Sequence, residues 1–260
     1  MGSIEKMNKT VFITGVTGSV GAALAIRYAR SNYNLLLHGR NEEKLARIAN
    51  QCRDCGVEVK TWVVDLSDTS EVISKTGQLL EQTVPDIFIA NAGLNINHGN
   101  DNAGESIEEI EKLLDVNVKS TLLMTSLVSQ KMRTRGSGQI ALISSLAGFF
   151  GLPITPSYSA SKAAIKSYGE ALRGWLMPFG IGVTVIMPGY IKSDMCDEMP
   201  GPKPFLLSPE RAAEIIQRGI GKNRARVSFP FPLNLGTWFL AVLPVSLSLW
   251  ILRKLDYSNG

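Results

Sequence analysis

Short apolar runs alternate with longer helical stretches along most of this chain, and that order leaves very few folds open to it. The runs are Thr10–Thr14, Asn34–His38, Val57–Val63, Ile87–Ala90, Gln139–Ser144 and Val183–Met187. They are rich in Val, Ile, Leu and Phe without strict alternation, the pattern of strands buried on both faces. Helical stretches such as Val20–Arg30 and Glu42–Arg53 separate them. A βαβα order predicts an α/β, three-layer, doubly wound parallel sheet with helices on both faces. Ligands of such sheets bind beyond the carboxyl ends of the strands. Residues 8–230 are expected to form one domain, with 231–260 as an apolar C-terminal extension.

With 260 residues the chain buries a core without disulfides or a structural metal. A formal charge of +4 is too mild for a nucleic-acid partner. Cys52 and Cys55 form a Cys-x-x-Cys pair, Cys196 is the third cysteine, and no second pair completes a metal site. No metal is expected, and a reducing, cytoplasmic compartment is the default. The start lacks an apolar secretory core, and Lys6 stands where a myristoylation motif needs Ser or Thr. Met7 is an alternative start, which would make residues 1–6 an addition.

Immediately after the first apolar run the sequence reads Thr14-Gly15-Val16-Thr17-Gly18-Ser19-Val20-Gly21. Glycines spaced by three let the backbone approach a ligand closely, and the helix that follows aims its unpaired N–H groups at the turn. Gly15, Thr17, Gly18, Ser19, Val20 and Gly21 are therefore candidates to hold a dinucleotide pyrophosphate. After the second run stands Leu37-His38-Gly39-Arg40. No carboxylate is present there to bind ribose hydroxyls, and Arg40 is placed to meet a 2′-phosphate through its planar fork. That favours NADP(H) over NAD(H). Asp65, with Leu66 beside it, follows the third run and is a candidate acceptor for the adenine amino group. Asn91-Ala92-Gly93 closes the fourth, where small residues let the backbone pass near a cofactor and Asn91 can pin neighbouring strands.

Tyr158 and Lys162 are four residues apart and share a helix face, and Ser145 precedes Tyr158 by thirteen residues. A phenol with an ordinary pKa near ~10 is a poor base at neutral pH, and an adjacent ammonium is expected to lower that value. Tyr158 would then exchange a proton with a carbonyl oxygen while Ser145 hydrogen-bonds the same atom. Asn117, expected inside a long helix, could hold a water linking Lys162 to solvent.

Taken together, these residues and Pro188-Gly189 resemble the short-chain dehydrogenase/reductase family in its single-domain form, over about residues 8–230. The resemblance implies a seven-stranded Rossmann-like sheet and a Ser145–Tyr158–Lys162 centre with Asn117 supporting a proton relay. It implies that Lys162 also bonds the nicotinamide ribose. Pro188, Gly189 and Ile191 would flank the nicotinamide, and Ser193 would lie near its carboxamide where the family usually has Thr. Arg40 matches the NADP-preferring subset. Two positions depart from the family pattern. Ser19 replaces the middle glycine of the turn while Gly18 supplies one a place earlier, and Ala90 stands where many members have Asn.

The stretch Val227–Leu252 carries no charged residue, with Arg224 and Arg226 before it and Arg253 and Lys254 after it. Its length admits a bilayer span, but Pro230, Pro232 and Pro244 argue against one regular helix. Basic flanks and tryptophans suit a segment lying at a membrane interface, and packing over the pocket or against a partner subunit is the alternative. The expected activity is interconversion of a carbonyl and an alcohol on a small, hydrophobic molecule. A homodimer or homotetramer is expected by resemblance, with peripheral membrane contact through the tail. Substrate contacts are expected in Leu94–Gly104, Tyr190–Leu207 and the tail. Two other readings keep the fold without the chemistry: a dinucleotide-sensing protein and a membrane-surface scaffold.

Overall fold

The computed structural model describes residues 8–96, 104–199, 201–255 and 257. The question of residues 1–6, and 97–103 within the first substrate loop, fall outside the described residues.

Seven parallel strands form one sheet in the order β3-β2-β1-β4-β5-β6-β7. They are β1 (Thr10–Ile13), β2 (Asn34–His38), β3 (Val59–Trp62), β4 (Ile87–Ala90), β5 (Gly138–Ile143), β6 (Ile181–Pro188) and β7 (Arg226–Phe229). The central strands are buried along their length, as their continuous apolar composition requires. One core cluster packs Leu24, Tyr28, Leu45 and Ile216 on one face of the sheet, and a second packs Val72, Met124, Val128 and Leu172 on the other. The chain reverses its winding between β1 and β4, and the switch opens a crevice at the strand ends.

Helices α1 (Ser19–Arg30), α2 (Glu42–Arg53) and α3 (Thr69–Gln82) link the first four strands. Next come α4 (Ile107–Leu114), a π turn at Asp115–Lys119, α5 (Ser120–Arg135) and the long α6 (Pro156–Leu176). Asn117 is thus not inside a regular helix: it sits on the widened turn joining α4 to α5. A short α7 (Asp194–Asp197) lies in the 190–207 loop, whose ends meet in an Ile191–Leu207 bridge. In α8 (Pro209–Gly221), Ser208 accepts a hydrogen bond from the Arg211 N–H and Pro209 takes the first position, the cap expected from the sequence.

The apolar stretch after Arg226 is not uniform. It opens as the edge strand β7 and continues as two ten-residue helices, α9 (Leu233–Val242) and α10 (Val245–Lys254). Pro244 divides them, and no helix among the described residues is long and apolar enough to cross a membrane. The single helical span admitted by the length of the stretch is therefore not formed.

Candidate active site

Turn geometry at the end of β1 follows from three glycines with different demands. Gly15 has φ +69°, and a Cβ there would come within 2.7 Å of the Ala92 Cα. At Gly21 a Cβ would overlap the Gly15 carbonyl oxygen and the Val16 backbone. Gly18 is freer, since the nearest atom to a Cβ would be the Gly15 oxygen at 3.6 Å. Gly18 is the N-cap of α1 and no side chain caps the helix, so its first-turn N–H groups remain for a ligand. Ser19 therefore occupies a helix start and costs the turn nothing. The cradle fits a pyrophosphate: backbone donors converge where added side chains are excluded.

Two buried side chains hold this turn against the sheet. Thr14 Oγ1 accepts from the N–H groups of Asn91 and Ala92 at 2.9 and 3.0 Å. Asn91 Nδ2 in return donates to the carbonyls of Thr14 and Gly15. Asn91 thus ties β4 to β1. The other anchor is His38, which the sequence reading passed over. Its Nδ1 accepts from the Gly15 N–H at 3.2 Å, and its Nε2 lies 3.0 Å from the Val64 carbonyl, to which it donates. Only the neutral Nε2–H form satisfies both bonds. Burial accordingly pushes the imidazole down to about 4. A histidine followed by glycine at a strand end was the available signal.

A single cavity of about 680 Å³ runs from this turn across the strand ends. It is lined by Gly15, Thr17, Gly18, Ser19, Val20 and Gly21, by Arg40 and Leu66, and by Asn91, Ala92 and Gly93. Ser145, Tyr158, Lys162, Pro188, Gly189, Ile191 and Ser193 line the same space. Gly39 lets Thr17 approach, because a Cβ there would lie 2.6 Å from the Thr17 methyl carbon. Asp65 is not part of the wall. It is exposed, accepts from the Ser67 N–H and hydroxyl, and is held below its ordinary pKa mainly by the Ser67 N–H. Asn117 does not line the wall either. Its carboxamide accepts from Leu94 N–H at 2.7 Å, donates to the Leu94 carbonyl at 2.9 Å and donates to Ser161 Oγ at 3.1 Å. The carboxamide thus clamps the chain leaving β4 to α6, with its oxygen and its nitrogen both bonded to protein.

Three elements converge on the reaction centre. Ser145 stands two residues beyond β5, and its hydroxyl caps a one-turn 3-10 helix by accepting from the Ala147 N–H at 3.2 Å. Ser144, buried behind it, donates to the Lys162 carbonyl at 2.7 Å and so fixes α6 against β5. Lys162 is buried, and its Nζ donates to the Ile143 carbonyl at 3.1 Å and lies 5.5 Å from the centre of the Tyr158 ring. Desolvation pulls the ammonium down to about 8.

Lys162 turns its Nζ to the Ile143 carbonyl and sits over the face of the Tyr158 ring. Burial raises the Tyr158 pKa, the Ser145 hydrogen bond opposes that rise, and Cys196 adds to it. Desolvation is the largest of the three.

The cavity wall beyond the centre comes largely from residues without a recognisable motif. Phe150 and Leu152 contribute from the loop before α6, and Tyr190 and Cys196 from the loop after β6. Leu233, Gly236, Thr237 and Leu240 line it from one face of α9, and Ile251, Leu252, Leu255 and Tyr257 from α10 and its end. Tyr257 donates to the Pro202 carbonyl at 3.2 Å, which joins the tail to the loop above the site. No group of His, Cys, Asp and Glu suited to a metal exists among the described residues, and Cys52 is buried while Cys55 is exposed.

Known proteins place this architecture. The short chain dehydrogenase family model matches residues 9–202. An uncharacterized oxidoreductase of Myxococcus xanthus is 33% identical over 242 residues, covering 92% of this chain and 94% of that protein. The 3-oxoacyl-[acyl-carrier-protein] reductase FabG of Rickettsia felis is 31% identical over 198 residues, 75% of this chain and 78% of the reductase. Among solved structures, a short-chain dehydrogenase from Sphingobium yanoikuyae in complex with NADPH superposes with a TM-score of 0.80 at 24% identity, covering 95% of each chain. A bulky-bulky ketone specific alcohol dehydrogenase from Comamonas testosteroni gives 0.79 at 21% identity, covering 97% of this chain and 96% of its own. With the parallel sheet, the glycine turn and the extent of these matches agreeing, the chain belongs to the short-chain dehydrogenase/reductase family of oxidoreductases.

Proposed function

We propose that this protein is an NADP(H)-dependent reductase that interconverts a carbonyl and an alcohol on a hydrophobic substrate. The observation that carries the reading is the meeting of Ser145, Tyr158 and Lys162 on the wall that also holds the glycine turn. The bound nicotinamide supplies or accepts the hydride. Gly15, Thr17, Gly18, Ser19, Val20 and Gly21 hold its pyrophosphate, Arg40 takes the 2′-phosphate, and Asp65 and Leu66 lie on the adenine side. Pro188, Gly189, Ile191 and Ser193 face the nicotinamide side. Tyr158, whose phenol is raised by burial, gives its proton to the substrate oxygen in reduction. Ser145 donates a hydrogen bond to the same oxygen, and Lys162 brings positive charge beneath the phenol. Asn117 acts as a positioning residue through Leu94 and Ser161.

A hydrophobic substrate is supported by the far wall of Phe150, Leu152, Leu240 and Leu252. The protein works as a homodimer or homotetramer, supported by Trp175 and Met177, which are exposed near the end of α6. It resides in the cytoplasm, peripheral at a membrane surface through its C-terminal segment. The decisive experiment follows NADPH oxidation across ketones and aldehydes of increasing chain length. Tyr158→Phe is expected to lower turnover by about 10²- to 10⁴-fold, with NADPH affinity by fluorescence titration unchanged. Full turnover in that variant would overturn the assignment of the acid.

A further inference from the structure

The C-terminal hairpin is apolar on two sides, and the cavity uses only one of them. On the inner side Leu240, Leu252 and Tyr257 are buried together against Phe150, Leu152 and Tyr190. Ser248 Oγ donates to the Leu240 carbonyl at 2.8 Å, which fastens α10 to α9. On the outer side Leu235, Trp238, Val242, Val245, Leu249 and Trp250 are 36–63% exposed. A contiguous sequence segment with this much exposed apolar surface has a partner.

Charge indicates which partner. Residues 215–255 contain no Asp or Glu. Arg253 and Lys254, at the end of α10, are exposed and form no ion pair among the described residues. Tryptophans on an apolar face with cations at its end are the composition of an element that rests on an anionic bilayer. A second copy docked symmetrically would set these cations against their own kind. Each helix has ten residues, so each extends about 15 Å, half the ~30 Å hydrocarbon core. Such helices can lie in one leaflet and cannot span.

The inner and outer sides meet at two residues. Phe239 and Leu255 both line the cavity, yet they are 52% and 54% exposed. The cavity wall therefore continues into the outer apolar surface at each of these residues.

We propose that α9 and α10 lie in the headgroup–acyl boundary of an anionic leaflet and that an apolar-chain carbonyl substrate enters the cavity from that leaflet past Phe239 or Leu255. The membrane contact stands on the hairpin alone, whereas the substrate route rests on the carbonyl–alcohol reading above. The test uses the full chain with phosphatidylcholine vesicles, with and without phosphatidylglycerol. Wild type should float with the anionic vesicles and shift its tryptophan emission to the blue. The double variant Trp238→Glu/Trp250→Glu, which changes neither cavity-lining position, should lose flotation by about tenfold or more. It should keep its NADPH turnover on a short water-soluble ketone and lose turnover on a long-chain ketone presented in vesicles. Absence of wild-type flotation, or unchanged flotation in the variant, would overturn the proposal. So would a variant that turns from oligomer to monomer with vesicle binding intact, which would make the hairpin a subunit interface. Flotation without turnover of any ketone would defeat the reductase reading and leave the membrane contact standing.

Discussion

Arg40 and His38 stand two positions apart and act on the cofactor end in different ways. Arg40 is exposed on the cavity rim beyond Gly39, free to bring its fork to a phosphate. Arg40→Ala removes a charge-assisted pair worth about 1.5–3 kcal/mol. The expected outcome is a rise of roughly ten- to hundredfold in KM for NADPH with KM for NADH little changed. Initial rates with both coenzymes measure it, and an equal rise for both would remove Arg40 from the 2′-phosphate. His38 works from behind the turn, and its effect should appear in stability. Its pKa falls from 6.5 in the unfolded chain to about 4 in the fold because burial disfavours the imidazolium. Between these values the unfolded chain takes up a proton that the native protein refuses. The stabilisation is complete above pH 6.5 and is lost as pH falls toward 4, by roughly 3 kcal/mol in all. A charged ring would also set an N–H against the Gly15 N–H. In His38→Gln, urea midpoints should lose this part of their acid dependence. Parallel pH profiles for wild type and variant would show that His38 does not stay neutral.

At the scale of an element, the β1–α1 turn separates glycines that are needed from one that is tolerated. The packing around Gly21 leaves no room for a Cβ, whereas a Cβ on Gly18 would make only an ordinary contact, at φ −88°. Gly21→Ala should destabilise the fold by about 1–3 kcal/mol through overpacking. Gly18→Ala should stay within about 0.5 kcal/mol. Thermal or urea unfolding of the two proteins decides this, and equal losses would contradict the turn geometry. The sequence made the turn recognisable, because spacing after an apolar run is a local property. It could not rank the three glycines, since the atoms that crowd Gly15 and Gly21 come in part from Asn91 and Ala92, just beyond β4. The π turn at Asn117 was hidden for the same reason. Its carboxamide finds Leu94 and Ser161 only after β4 and α6 have packed around it.

On the scale of the whole molecule, the tail couples the lid of the cavity to the rest of the fold. Leu252 is buried between α9 and α10 and also faces the cavity. Leu252→Ala should weaken the hairpin by about 2–4 kcal/mol, a local loss that need not unfold the sheet. Hydrogen exchange should quicken across residues 233–257 while β1, β4 and β5 keep their protection. Uniform acceleration would mean that the tail and the sheet form one cooperative unit. The sequence by itself determined the parallel α/β layering, the glycine turn, and the Tyr158–Lys162 pair on one helix face, because periodicity and spacing are written along the chain. Only the tertiary structure decided that burial raises the Tyr158 phenol, that His38 is held neutral, and that two C-terminal helices complete the cavity. Desolvation and cavity walls depend on what segments distant in sequence place around a side chain, and no local pattern carries that information.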